Sequence, residues 1–403
     1  VVQPDRKILA VGTAVYRLNT DGTPDPTFTP GTGPNYPIYD VLVLSTGKII
    51  IAGIFTQYNG TAVQRIARLN ADGTLDTSFT SPSVSSPIYE AAEQTDGKII
   101  IVGTFSNIGG TPRRSVARLN ADGSLDTSLD VGTFYSDRPS VAIQSDGKIL
   151  VGGLMDENSN SLGMVRFAAN GAIDPSFAAP YNPVISSTVH KIIILPDGSI
   201  LAGGMAGLTG SSSPSDLYGV IKLTPTGALD NTLSHQRVVG DGLEVFSIAL
   251  TPDGKIAACG DLYRLGLTNA TSKRIALLDP NGAIVPSFAG SVEGNGLARD
   301  SVKQPDGKTI IVGRFHEVNG TPRPGIARFN AGGDLDPTFA PDLTNSTIIT
   351  SVALQSDGKV LAIGSFLTIG GADYTLPIAR FNSDGSFDAA FSAALQSSMA
   401  SES

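Results

Sequence analysis

Short apolar runs punctuated by Asp-Gly pairs recur along the whole chain. Gln94-Thr-Asp-Gly-Lys98 is followed by the apolar run Ile99-Ile-Ile-Val-Gly-Thr-Phe105, and Val141-Ala-Ile-Gln144 precedes Asp146-Gly147 and Lys148-Ile-Leu-Val-Gly152. Apolar runs of this length bounded by Gly and Asp read as strands. An Asp-Gly pair between two of them predicts a hairpin with a primed turn, whose central residues take positive φ. Ile66-Ala-Arg-Leu-Asn70 supplies a third strand, and Asp72-Gly73 turns it into a short fourth ending at Phe79. Helical spacing of apolar residues is absent from almost the entire chain.

This text repeats. The Asp-Gly-Lys anchor, intact or decayed, places its glycine at Gly47, Gly97, Gly147, Gly198, Gly254, Gly307 and Gly358, with Arg6 standing there in the first copy. A second anchor has its glycine at Gly22, Gly73, Gly123, Gly171, Gly227, Gly282, Gly333 and Gly385, at intervals of 48 to 56 residues. One such unit cannot bury both faces of its sheet alone, so neighbours must stack. Three or four antiparallel strands at this period predict an all-β chain and a β-propeller rather than a β-helix. The anchors favour eight blades; the truncated first copy makes seven the alternative. No linker interrupts the repeats, which predicts one domain over residues 1–393 and a Ser/Ala-rich tail over 394–403.

Composition narrows the partners. A formal charge of −9 with pI near 4.8, and basic residues spread along the repeats, argue against nucleic acid and anionic membranes. No apolar run of about 18 residues predicts membrane insertion. The single cysteine, Cys259, rules out an internal disulfide and reads as a small buried hydrophobe. The chain starts in mid-strand without Met and looks like part of something longer, so the lack of a signal peptide carries little weight.

Arg-Leu-Asn-Ala-Asp-Gly-Ser-Leu-Asp126, together with Gln-Ser-Asp-Gly-Lys-Ile-Leu-Val-Gly-Gly153, resembles the bacterial delta-60 repeat over essentially the full length. The resemblance implies a propeller in a surface-associated or secreted protein. It implies no established reaction and so transfers no catalytic residue. Pro196-Asp-Gly-Ser199 and Leu277-Leu278-Asp279 depart from the pattern.

Several motifs suggest chemistry. Asn70-Ala-Asp-Gly-Thr-Leu-Asp76 resembles a calcium loop, since oxygen ligands at alternate positions followed by Gly are what a hard cation wants. Aligning the glycine on the sixth loop position, however, puts Arg68 at the first ligand position and Phe79 at the twelfth. The expectation is therefore no metal and no cofactor. A structural explanation fits better: Arg17 and Asp25, Arg68 and Asp76, Arg118 and Asp126, Arg166 and Asp174, Arg328 and Asp336, and Arg380 and Asp388 keep one spacing, with Lys222 and Asp230 a variant. In the sixth copy both positions turn apolar together, as Leu277 and Val285. Joint loss is what a partly buried ion pair predicts, since a lone buried charge costs more than none. The turns also recur in sialidase Asp-boxes, but the Trp of that motif is missing. His190, His235 and His316 have no ligand spacing, and Asn59-Gly-Thr61 and Asn319-Gly-Thr321 match glycosylation sequons that read more simply as hairpin tips.

Loops of the fourth to sixth copies carry individual text, and loops on rigid repeats carry function. Asp156, Glu157, Asp216, Asp261, Tyr263 and Arg264 are the candidate ligand or partner contacts. With no catalytic cluster in view, the expected function is a non-enzymatic extracellular or cell-surface module binding proteins, polysaccharides or copies of itself. The alternative is a carbohydrate-active propeller enzyme using carboxylates of those loops, such as Asp156 or Glu157 with Asp261.

Overall fold

The computed structural model describes residues 1, 3–20, 23–132, 136, 139–155, 161–177, 179, 181, 187–208, 217–234, 236–238, 245–250, 254–260, 275–285, 297–318, 320–332, 334–344, 347–355 and 357–393. They form two compact units, Val1–Ile200 with Leu223–Ala228 and Leu201–Lys222 with Leu229–Ser401. No helix among the described residues is long and apolar enough to cross a membrane.

In unit one the first repeat pairs Ile8–Val11 with Val15–Leu18. The next three repeats are three-stranded antiparallel sheets with the second strand central. Their strands are Ile38–Val43, Ile49–Gly53 and Ile66–Leu69; Ile88–Glu93, Ile99–Gly103 and Val116–Leu119; and Ser140–Ile143, Ile149–Met155 and Ser161–Phe167. Unit two contains three such sheets: Val245–Leu250, Ile256–Gly260 and Ile275–Leu278; Leu297–Lys303, Thr309–Arg314 and Ile326–Phe329; and Ile348–Leu354, Val360–Ser365 and Ile378–Phe381. The boundary between units falls within the fifth repeat, where Leu217–Leu223 gains a partner strand, Gln236–Val238.

The expected fourth strand shrinks to single bridges such as Leu69 with Leu75 and Leu119 with Leu125. The chain leaves the sheet there because the Asp76 carboxylate accepts the Ser78 N–H at 3.0 Å, turning the backbone outward. The hairpin turns also differ from expectation. Gly73 N–H donates to the Asn70 carbonyl and Asn70 N–H to that of Thr74, a three-residue connection with only the glycine left-handed, at φ 88°. A type I turn closed by a left-handed residue meets the strand twist without a primed turn, so Asp72 keeps ordinary φ and braces Thr74 N–H at 3.0 Å.

Central strands are apolar over most of their length because both of their faces are covered. Ile49 and Ile51 pack with Leu9 and Val15 of the first repeat, while Ile50 and Ala52 pack with Ile99, Ile101 and Ala117 of the third. Ile100 and Val102 in turn meet Ile149 and Val151 of the fourth. The period-2 alternation thus sorts side chains between two neighbouring sheets rather than between core and water. First strands lie beside first strands of adjacent repeats within each unit. Among the described residues five of them carry a bulge, at Tyr39-Asp40, Tyr89-Glu90, Phe246-Ser247, Arg299-Asp300 and Thr350-Ser351.

Candidate functional site

Two sets of polar residues stand out, one alike in nearly every repeat and one that varies among Asp, Glu, Ser and Lys. The first is the Arg–Asp pair. Arg Nε lies 2.6 Å from Asp Oδ2 for Arg17–Asp25 and Arg68–Asp76, 2.8 Å for Arg118–Asp126, and 2.9 Å for Arg166–Asp174 and Arg328–Asp336. Arg380 reaches Asp388 at 2.8 Å, and Lys222 reaches Asp230 at 3.0 Å. The sequence spacing is hairpin register: Asp76 N–H donates to the Arg68 carbonyl across the turn.

The same aspartate oxygen accepts the lysine of the other anchor, as in Lys48–Asp76 at 2.6 Å and Lys98–Asp126 at 2.8 Å. Five of these arginines also cross to the next repeat. Arg17 donates to the Ala71 carbonyl, Arg68 to Ala121, Arg166 to Pro225 and Arg328 to Ser383, while Arg118 donates to Ala169 at 2.5 Å. The guanidinium groups of Arg17, Arg68, Arg166, Arg328 and Arg380 each stack on a phenylalanine of their own repeat, 4.9 Å from the Phe79 ring for Arg68 and 4.5 Å from Phe339 for Arg328. In the sixth copy Leu277 and Val285 join an apolar cluster with Ile311 and Ala327 of the seventh repeat, so the link to the next repeat persists in apolar form.

Burial alone would raise the carboxyls of Asp25, Asp76, Asp126 and Asp336, but hydrogen bonds from the lysine, the Ser or Thr two residues on and the arginine hold them well below the usual range. For Asp230, the Thr232 hydroxyl leads in holding the carboxyl down to about 2.

The second set lies on the first strands, seven residues before each anchor glycine: Asp40, Glu90, Ser140 and Lys191 in unit one, and Ser247, Asp300 and Ser351 in unit two. In unit one, Asp40 Oδ2 accepts the Ala91 N–H of the next repeat at 2.8 Å, and Glu90 Oε2 accepts the Val141 N–H at 2.8 Å. Lys191 Nζ sits 3.7 Å from Glu90 Oε1. Burial pushes the carboxyls of both Asp40 and Glu90 up, opposed by these N–H donors and by Lys191. The residues just before them, Tyr39 and Tyr89, stack with centroids 5.5 Å apart and planes 15° from parallel. Tyr39 is 47% exposed. In unit two, Asp300 Oδ2 accepts the Val352 N–H at 3.0 Å and the Ser351 hydroxyl at 2.9 Å.

Asp156, Glu157, Asp216, Asp261, Tyr263 and Arg264 all lie outside the described residues, as do His235 and Asn319. Asn59 does form a hairpin tip, and its amide donates to the Pro30 carbonyl at 2.8 Å while accepting the Gly33 N–H at 2.7 Å. In the calcium-like turn Asp72 Oδ1 accepts the Thr74 hydroxyl at 2.6 Å, and Asn70 donates to that hydroxyl at 3.0 Å. Among the described residues no three His, Cys, Asp or Glu side chains are grouped to hold a metal ion. The first-strand row was missed at the level of sequence. Its signal is a position at constant distance from the anchor glycine whose residue changes in charge and size.

The model of the family described as "Domain of unknown function (DUF5122) beta-propeller" matches residues 3–28, 44–79, 94–129, 144–177, 304–339 and 355–391. No curated protein is matched by the chain. Among solved structures it is similar to the extracellular domain of the putative one-component system BT4673 from B. thetaiotaomicron, at 15% identity and TM-score 0.41, covering 96% of this chain and 51% of that one. The chain thus spans about half the length of that structure. It is also similar to the WD40 β-propeller domain of Doa1, at 13% identity and TM-score 0.39 over 83% of this chain and 91% of that one. A gluconolactonase from Xanthomonas campestris is similar at 14% identity and TM-score 0.36 over 71% of this chain and 87% of that one. The family segments match the two anchors and the strands between them, and together they span more than half of the sequence: the chain belongs to the DUF5122 β-propeller family.

Proposed function

We propose that this chain is a non-enzymatic extracellular or cell-surface module that binds protein or polysaccharide partners. Its repeats make one β-propeller over residues 1–393, with eight blades the favoured count and seven the alternative. The observation that carries the binding role is the contrast between the two polar sets. The Arg–Asp–Lys links are nearly uniform and spent on joining repeats, whereas the first-strand row varies among Asp, Glu, Ser and Lys at one register position, its carboxylates also accepting an N–H of the next repeat. A surface of individual side chains on a uniform frame is what recognition needs. The location rests on the resemblance to delta-60 repeats.

One observation favours a carbohydrate-active enzyme as second reading: Asp40 and Glu90 are carboxyls on adjacent strands, both raised by burial. Each, however, already holds a backbone N–H of the following repeat. Incubation with a panel of soluble and insoluble polysaccharides, reading protein depletion and released reducing ends, separates the two. Depletion without release is the expected result; release of reducing ends overturns the non-enzymatic role.

A further inference from the structure

The first strands of unit one bring an aromatic pair, Tyr39 exposed and Tyr89 half-buried, beside groups that both accept and donate hydrogen bonds. Tyr39 and Tyr89 come from equivalent bulges of the second and third repeats, and their rings are near-parallel. One face of Tyr39 is covered by Tyr89, and with 47% of the residue exposed the ring still offers apolar surface to water. Next to the pair in sequence are Asp40 and Glu90, and Lys191 of the fifth repeat faces Glu90. Each Asp40 oxygen accepts one N–H, from Val41 at 2.9 Å and from Ala91 at 2.8 Å. A carboxylate has about four lone-pair sites, so acceptor capacity remains. The Glu90 and Lys191 side chains are 27% and 44% exposed, within reach of a solute.

The geometry points to a glycan subsite in unit one, where Tyr39, backed by Tyr89, stacks on the apolar face of a neutral pyranose and Asp40, Glu90 and Lys191 hydrogen-bond its hydroxyls. This rests on the binding role proposed above and names the ligand class. The polar groups exclude the charged alternatives on chemical grounds. Two carboxylates repel an anion, and Lys191 already occupies the place that a cationic ligand would take against Glu90. Hydroxyls both donate and accept, which suits a site that supplies carboxylates and an ammonium around one aromatic face. The two tyrosines enter the stack from successive repeats, so the platform is held by the same sheets that the Arg–Asp links join.

The test is calorimetric titration of the full chain with cellohexaose, mannohexaose and chitohexaose, and with tetra-arginine as the cationic probe. Wild type, Tyr39→Ala and Tyr39→Trp are compared, with thermal unfolding of each. At least one hexaose is expected to bind, Tyr39→Ala to weaken it roughly tenfold without moving the unfolding midpoint, and Tyr39→Trp to retain or strengthen it. No hexaose binding at millimolar concentration overturns the subsite, as does binding of tetra-arginine alone. Hexaose binding that is unchanged in Tyr39→Ala removes this site while leaving the binding module standing. Release of reducing ends removes the non-enzymatic role instead.

Discussion

Asp126 shows how much one side chain does in this protein. Its Oδ2 accepts Lys98 and Arg118, both at 2.8 Å, and its Oδ1 accepts the Ser128 N–H at 2.9 Å and hydroxyl at 2.6 Å. Arg118, at 2% exposure, would lose its carboxylate in Asp126→Ala, which is expected to cost about 3–5 kcal/mol in urea unfolding. The double variant Arg118→Leu/Asp126→Val, copying Leu277 and Val285, should cost less than the two single variants summed. Simple additivity would contradict the ion-pair explanation. Arg6 makes a different point. It occupies the glycine place of the first anchor with φ 67°, a conformation that costs a side-chain residue about 1 kcal/mol, so Arg6→Gly should raise stability by roughly that amount. The pairing was legible because spacing and joint loss are visible in the repeats. The lysine as third member was not, because it lies 28 residues from its aspartate and only strand register brings it there.

Among the elements, the central strands were the most legible, since an uninterrupted run such as Ile99-Ile-Ile-Val102 leaves no polar face. Hidden from that pattern was how closely the first strand approaches them. A Cβ on Gly103 would fall 2.1 Å from the Pro87 carbonyl oxygen, a backbone atom that cannot rotate away. Gly103→Ala is therefore expected to destabilise by about 3 kcal/mol or more, and a near-neutral result would contradict the tight approach. Bulges in the first strands were equally invisible, because an extra residue does not disturb a short apolar run. Their carboxylates hold the next repeat, so Asp300→Ala should accelerate hydrogen exchange at the Val352 amide beyond any change in the Ile311 amide of the central strand. Uniform acceleration would mean global destabilisation and no local link.

For the whole molecule, the repeated carboxylates make acid the vulnerable side. Asp25, Asp76, Asp126, Asp174, Asp230, Asp336 and Asp388 all titrate below their unfolded value, near 3.9. Their stabilisation is complete above that pH and is lost as pH falls through the folded values, because the unfolded chain then binds more protons. Asp40 and Glu90 are shifted upward and act in the opposite sense, losing stabilisation as pH rises above about 4. Seven groups against two should make the unfolding midpoint drop steeply between about pH 4 and pH 2, and a flat profile there would contradict the ion-pair network. The family and the all-β repeat architecture could be read from the anchors. The first-strand row could not, because unusual loops advertise themselves by length whereas this row changes only its side chains.

The proposal is that the Arg–Asp–Lys links alike between repeats hold the fold and that the Tyr39 platform holds the partner. Its most direct test is polysaccharide depletion and thermal unfolding measured together on wild type, Tyr39→Ala and Asp126→Ala. Tyr39→Ala should lose depletion at an unchanged midpoint, and Asp126→Ala should lower the midpoint yet deplete normally at temperatures where it remains folded. Full depletion by Tyr39→Ala, or an unchanged midpoint for Asp126→Ala, would contradict it.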